Sequence, residues 1–284
     1  MEKTLKETSP TNKSENLYYP LETKVLDVVT ETPTIKTLVL KPPVEIPFKA
    51  GQFMQLTIFG IGEAPFTPSS SPYKLDTMEI TILKAGHLTE AVHQLKAGDY
   101  VGLRGPFGKG FPLEKFEGKE ILVVGGGVGL APLRALLNAL FHNLNKYKRV
   151  SIKYGARNPS ELSFKRQYDD WKKLSHVDFE CTVDRSDGQW SGKVGLVTEL
   201  LEKTGIDLNN SYAVSCGPEI MLKFVTMKLL SVGFKPDQIY LSMNRKMSCG
   251  MGICGRCNIG PYYLCKDGPD MNYAKIQKYP DVFG

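Results

Sequence analysis

The sequence predicts an antiparallel β-barrel domain, then an α/β domain with a doubly wound parallel sheet, then a small C-terminal cysteine segment. Three observations predict this. Residues 17–115 hold short β-rich runs separated by Pro and Gly. From residue 116, strand-like and helix-like patterns alternate, the rhythm of a parallel sheet covered by helices. Four of the six cysteines fall between Cys249 and Cys265. The 284 residues suit two domains at roughly 150 residues each. The expected division is 1–16, a polar flexible tail; 17–115, the barrel; 116–240, the α/β domain; and 241–284, the cysteine segment.

In the barrel, strands are expected over 24–29, 37–40, 53–59, 78–83 and 100–104. The turn signals Lys49-Ala50-Gly51, Ser71-Pro72 and Ala97-Gly98-Asp99 separate them. One short helix is expected over 88–95. In the second domain, strands over 121–124, 150–154, 178–183 and 212–215 lead into helices over 132–144, 161–173, 197–203 and 218–230. The last segment starts without a clear period. Its end carries Tyr273, Ile276, Tyr279, Val282 and Phe283 at helical spacing, with Pro280 limiting the length. Such a one-sided helix rests either on a partner or on its own domain.

Composition narrows the function classes. Hydrophobic residues make up 42% and charged residues 23%, as in ordinary globular proteins, which excludes a disordered or fibrous chain. The formal charge of +6 is mild, and bases alternate with acids, as over 165–173. No nucleic-acid stripe is expected. The longest apolar run, 121–131, is glycine-rich and too short for a bilayer, and residues 1–16 lack an apolar signal core. A cytoplasmic protein without direct membrane insertion is expected. His87 and His93 read as surface residues, Cys181 as a buried packing residue, and Trp171 and Trp190 as packing residues.

Cys249, Cys254, Cys257 and Cys265 form C-x4-C-x2-C-x7-C. The first three have the spacing of plant-type [2Fe–2S] proteins, in which each iron takes two thiolates. Gly250, Gly252 and Gly255 let the chain turn around a cluster. The fourth cysteine comes too early for a whole plant-type ferredoxin domain. A four-cysteine zinc site and two disulfides are the alternatives, although only Cys254/Cys257 has the C-x2-C form zinc favours.

The second chemical motif joins the first strand of the α/β domain to its helix: Gly125-Gly126-Gly127-Val128-Gly129-Leu130-Ala131-Pro132. Glycines allow a tight turn, and the helix N-terminus favours a pyrophosphate. Gly126, Gly127, Gly129, Ala131 and Pro132 are the candidates, and a turn that serves packing alone is the other reading. Arg157 follows the second strand, Asp184 and Arg185 the third, and Cys216-Gly217-Pro218 the fourth. These are carboxyl ends of parallel strands, where such sheets bind ligands.

Ala50-Gly51-Gln52-Phe53, residues 62–67, Arg104-Gly105-Pro106-Phe107-Gly108, the glycine turn, Cys216-Gly217-Pro218 and Cys265-Lys266-Asp267-Gly268-Pro269 together carry a resemblance. From about residue 18 onward the chain resembles the ferredoxin–NADP reductase superfamily. Within it the chain is similar to flavin and iron–sulfur subunits of three multisubunit enzymes. These are cytosolic nickel–iron sulfhydrogenase, through its gamma subunit, anaerobic sulfite reductase, and dihydroorotate dehydrogenase, through its electron-transfer subunit. The resemblance implies FAD between the two domains. Of the family's flavin motif Arg-x-Tyr-Ser/Thr, Phe66 and Thr67 match the last two positions, while Ala64 stands where Arg belongs. Gly86, Leu88 and Thr89 open a helix that would offer N–H groups and a hydroxyl to phosphate. Thr67, at the flavin edge, and Cys216, near the nicotinamide, are the catalytic candidates. A Ser/Pro-rich surface loop is the alternative for 62–71.

What the resemblance implies is an oxidoreductase that uses FAD, a [2Fe–2S] cluster and NAD(H) or NADP(H). Hydride would pass to the flavin, and single electrons would pass through the cluster to or from a catalytic subunit, with or without further iron–sulfur subunits. The nearest resemblance makes that partner a nickel–iron hydrogenase; sulfite reductase and dihydroorotate dehydrogenase are the alternatives. No site for hydrogen, sulfite or dihydroorotate is visible in this chain. A stand-alone reductase and a zinc-stabilised nucleotide-binding sensor are the rivals. Asp184 would accept hydrogen bonds from ribose hydroxyls and favour NADH, whereas Arg157 and Arg185 would clamp a 2′-phosphate.

Overall fold

The structure, a computed structural model, describes residues 17–202 and 204–283. The expected tail, 1–16, lies outside the described residues. Strands β1 (Leu21–Thr30), β2 (Ile35–Lys41), β3 (Phe53–Ile58), β4 (Gly62–Phe66), β5 (Met78–Leu83) and β6 (Tyr100–Phe107) form an antiparallel sheet in the order β4-β3-β6-β1-β2-β5. A bridge from Pro68, just past β4, to Ile80 on β5 joins the two edges and closes the barrel. Its core is apolar: Val25, Leu38, Leu56, Ile80, Ile82 and Leu103 are fully buried. Strand β4 was not expected. Its Glu63 is fixed by hydrogen bonds from Thr57 and Arg104, partners that come from other strands. Helix α1 (His87–Val92) stops short of the expected 95. His93 is buried rather than on the surface, its ring Nε2 lying 3.0 Å from the Ile82 carbonyl.

Helix α2 (Leu113–Phe116) leads into the second domain. There β7 (Glu120–Gly126), β8 (Arg149–Ala156), β9 (Val177–Val183), β10 (Lys193–Val194), β11 (Ser211–Cys216) and β12 (Ile239–Ser242) form a parallel sheet in the order β10-β9-β8-β7-β11-β12. The helices are α3 (Leu130–His142), α4 (Tyr168–Lys173) and α5 (Glu219–Ser231). Two expected helices change. The one over 161–173 becomes two 3₁₀ turns and α4, because Phe164 takes φ 57° to bury its ring. The one over 197–203 is a 3₁₀ turn, Val197–Leu201. Cys181 is half-buried; Trp171 packs against Phe179.

The cysteine segment is woven into this sheet. After β13 (Asn258–Ile259), β14 (Tyr262–Tyr263) and α6 (Leu264–Asp267), strand β15 (Asp270–Asn272) pairs antiparallel with β12 and becomes the sheet edge. Helix α7 (Tyr273–Ile276) and a 3₁₀ turn, Pro280–Phe283, complete the described chain. The tail packs back on its own domain: Ile276 and Val282 are buried and Tyr273, Tyr279 and Phe283 half-buried in one cluster with Leu229 and Ile239. It is therefore not the partner-facing helix that its spacing allowed.

Polar contacts tie the barrel to the parallel-sheet domain. Glu31 pairs with Arg166, and Glu161 accepts hydrogen bonds from Thr32 and Thr34. Arg134 on α3 reaches across to the Ser69 carbonyl, at 3.0 Å, and to Glu79.

Candidate functional site

The cysteine loop turns on three glycines of positive φ: Gly250 (80°), Gly252 (74°) and Gly255 (74°). This curvature aims backbone N–H groups at sulfur. Met251 and Ile253 each donate to Cys249 Sγ at 3.4 Å, Gly252 to Cys265 Sγ at 3.1 Å and Cys265 to Cys257 Sγ at 3.5 Å. Burial pushes the Cys249 thiol up, but hydrogen bonds from Cys254, Met251 and Ile253 outweigh it and hold it down at about 6. Burial and the adjoining Cys257 thiol push Cys265 up to about 12. The Cys249 thiol interacts with Cys254, and the Cys265 thiol with both Cys257 and Cys249. Among the described residues, no three Cys, His, Asp or Glu side chains converge on a single ion. Four cysteines in one loop with N–H donors aimed at sulfur, no three of them gathered on one point, suit a two-iron cluster, which spreads its ligands over two metals, better than they suit zinc.

This loop is fastened to the barrel. Arg104 on β6 donates from Nη1 to the Cys249 carbonyl at 2.9 Å and from Nη2 to the Ser248 carbonyl at 3.2 Å. Its Nε and Nη2 also hold Glu63 at 2.7 and 2.5 Å. Gln55 on β3 donates to the Met247 carbonyl. Phe107 lies where a side chain on Gly250 would fall. Sequence reasoning placed Arg104 in a family segment but assigned neither it nor Gln55 a role. A buried Arg with two carbonyl partners 144 and 145 residues away leaves no local signal.

Phe66 and Thr67, both half-buried, end β4 where the barrel closes. Leu88 at the start of α1 stands next to β4, so that its Cδ1 would lie 3.6 Å from a Cβ on Gly62. The structure thus brings the two expected flavin elements side by side. A Cβ on Gly86 would meet open space, and no side chain caps the first turn of α1, which leaves room and N–H groups for an anion. The Thr89 hydroxyl is otherwise engaged, accepting from Ala85 N and donating to Gly86 O, each at 2.8 Å.

At the carboxyl ends of β7, β8, β9 and β11 lies a cleft of about 400 Å³. Gly126, Gly127, Arg157, Asp184 and Pro218 line it, as the sequence suggested. Gly129, Ala131, Pro132, Arg185, Cys216 and Gly217 are not among its lining residues. Gly129 serves packing, since a Cβ there would fall 2.3 Å from the Cys216 carbonyl oxygen. Ala131 is in the core. The sequence missed the apolar wall, Leu196, Val197, Ile220, Met221 and Phe224. The available signal was α5 itself, which exposes Ile220 and Phe224 one turn apart while burying Leu222, Val225 and Leu229. A second hollow, about 520 Å³ around Gly118, Lys146 and His176, lies at the opposite, amino ends of the strands and holds none of the expected residues.

Cys216, Ser242 and Asp270 are register partners across β11, β12 and β15. Burial pushes the Cys216 thiol up to about 12, against a hydrogen bond with Ser242, so the thiol is neutral. Burial likewise raises the Asp270 carboxyl well above its ordinary value, against a hydrogen bond with Ser242. Gly51 of the barrel packs on this acid: a Cβ there would lie 1.8 Å from Asp270 Oδ2.

Comparisons with known proteins agree with this geometry. Residues 123–227 match the oxidoreductase NAD-binding domain, and residues 244–277 match the iron–sulfur cluster binding domain of dihydroorotate dehydrogenase B. The chain is 36% identical to the sulfhydrogenase 1 gamma subunit of Pyrococcus furiosus, over 95% of this chain and 96% of that one. It is 34% identical to a probable dihydroorotate dehydrogenase B (NAD(+)) electron transfer subunit of the same organism, over 84% and 88%. Among solved structures, one reported for flavin-based electron bifurcation by an NADH-dependent reduced ferredoxin–NADP oxidoreductase matches with TM-score 0.72 and 25% identity, over 90% and 91% of the two chains.

Proposed function

Because the chain belongs to the ferredoxin–NADP reductase superfamily, in the branch that holds the sulfhydrogenase gamma subunits and the dihydroorotate dehydrogenase B electron-transfer subunits, we propose that it is the NAD(P)H-oxidising electron-transfer subunit of a heteromeric redox complex, with a nickel–iron hydrogenase as the catalytic partner. When bound, FAD and the [2Fe–2S] cluster supply the conversion between a two-electron hydride and single electrons. The protein's residues bind and orient. Gly126, Gly127 and the uncapped start of α1 offer backbone N–H groups to phosphates. Asp184 and Arg157 select the ribose, and the apolar wall of Ile220 and Phe224 covers the nucleotide. Thr67 places a hydroxyl at the flavin edge. The neutral Cys216 thiol acts by packing near the nicotinamide rather than as a nucleophile. Cys249, Cys254, Cys257 and Cys265 hold the cluster.

The observation that carries this reading is the attachment of the cysteine loop to β3 and β6 through Gln55 and Arg104. It keeps a one-electron centre against the flavin domain rather than on a free appendage. The purified protein is expected to contain one FAD, about two irons and two labile sulfides, and to reduce artificial dyes with NAD(P)H. Cys249→Ser should abolish the cluster absorbance and leave flavin and dye reduction in place. Stoichiometric zinc without labile sulfide, or no flavin, refutes the reading. Full hydrogen oxidation by the isolated chain refutes the subunit assignment alone.

A further inference from the structure

Between Asp237 and Asp267 the sequence has no acid and four bases: Arg245, Lys246, Arg256 and Lys266. This is unlike the rest of the chain, where 36 bases face 30 acids and the lysines of α4 pair with its own aspartates. The acid-free stretch is the one that carries the cysteine loop. The loop tip projects, with Ile253 68% exposed and Cys254 also exposed. The stem of Lys266 lies 3.1 Å from where a Cβ on Gly252 would be, which sets this exposed lysine beside the tip. Arg256 reaches to the Ser248 hydroxyl at 3.5 Å, and Lys246 is exposed three residues before Cys249. Arg245 is used internally, on Glu219 and the Asp281 carbonyl. Among the described residues, none of the other three is in an ion pair. Two ferric irons, two sulfides and four thiolates together carry two negative charges, so the loaded segment stays positive.

An exposed apolar residue on a loop that carries unpaired charges of one sign has the anatomy of a docking surface, in which charge steers encounter. We propose that this face docks an acidic surface on the protein that exchanges electrons with the chain: carboxylates grouped around an exposed one-electron centre, with an apolar spot opposite Ile253. The proposal rests on the electron-transfer reading above and adds the chemistry of the partner's surface. Each NAD(P)H oxidised yields NAD(P)⁺, one proton and two electrons. The docked partner therefore accepts two electrons, one after the other, for each NAD(P)H oxidised.

The test uses the holoprotein and two probes of opposite charge, an acidic plant-type ferredoxin and the basic cytochrome c, with binding measured by calorimetry. Ferredoxin should bind, and its affinity should fall at least about tenfold between roughly 50 and 300 mM salt as screening shortens. The triple variant K246E/R256E/K266E should weaken ferredoxin binding by at least about tenfold, a modest share of what charge steering can supply. Lys246→Glu alone, further from the thiolates, should weaken it several-fold. Cytochrome c should bind the wild type more weakly than ferredoxin, with the order reversed in the triple variant. Ferredoxin binding that ignores salt, tighter binding of cytochrome c by the wild type, or a triple variant with an intact cluster spectrum and unchanged affinity overturns the docking face. Absence of the cluster spectrum and of NAD(P)H-driven dye reduction from the wild type overturns instead the reading beneath it.

Discussion

Replacing Asp270 with Asn changes how stability depends on pH, and the structure gives the sign. Folding buries this acid against Gly51 and beside Ser242, and burial, outweighing a hydrogen bond with Ser242, raises its pKa well above the ordinary aspartate value of about 3.9. The unfolded chain releases the proton near the ordinary value, while the folded chain keeps it to higher pH. The folded state therefore binds the extra proton between the two values. The contribution is fully favourable below about pH 4 and is lost as the pH rises through the window that ends at the raised value. Inside that window one proton of linkage costs about 1.4 kcal/mol per pH unit. Asp270→Asn has no such slope, only a constant offset from its own buried amide. For a chain of this size, each kcal/mol moves the melting point by about 2–4 °C. The wild type should thus lose about 3–6 °C relative to the variant for each pH unit. Paired melts of the two holoproteins followed by circular dichroism, from about pH 4 upward until the difference levels off at the raised value, measure this. A difference that stays flat across that range, or that grows in the wild type's favour, would show that the folded acid is ionised and partnered, and would refute the argument.

Three further outcomes follow from the same geometry. Gly51→Ala should destabilise the chain by several kcal/mol, at least about 3, because its Cβ falls 1.8 Å from Asp270 Oδ2 at a φ of 94°; a melting point within 2 °C of wild type, on the conversion above, would contradict it. Arg104→Met leaves Glu63 with Thr57 as its donor and removes Arg104 from the Ser248 and Cys249 carbonyls. It should cost about 3 kcal/mol and make cluster absorbance bleach faster in air, while added dye still accepts electrons from the flavin; an unchanged bleaching rate would count against the anchoring role. For the nucleotide, Asp184 lines the cleft beside Arg157. NADH is expected to be preferred, and Asp184→Asn should narrow the ratio of kcat/KM for NADH over NADPH by about tenfold, or about 1.4 kcal/mol; a wild type that favours NADPH reverses the assignment.

Much of the architecture was legible in the sequence because its signals are local. Val, Ile and Leu runs bounded by Gly and Pro marked five of the six barrel strands, and the strand–helix alternation marked four of the parallel strands. The C-x4-C-x2-C-x7-C spacing brought four thiols to one loop, since chain length alone keeps them near each other. The glycine turn and Asp184 could be placed at a ligand edge because parallel sheets bind ligands at their carboxyl ends. Where the reading failed, a distant partner had decided the outcome. Phe164 breaks an amphipathic pattern in order to bury its ring under Arg134. Strand β4 exists because Thr57 and Arg104 hold Glu63. The spacing of the apolar tail fitted a partner or its own domain equally, and β15 adding to β12 with Ile276 and Val282 buried decides for its own domain. The fastening of the cysteine loop to the barrel rests on Gln55 and Arg104, and the burial that raises the Asp270 carboxyl rests on three strands and Gly51. Local spacing fixes which residues are neighbours along the chain and what metal or phosphate they can hold. Burial and contacts across nearly two hundred residues are properties of packing, and only the folded chain sets them.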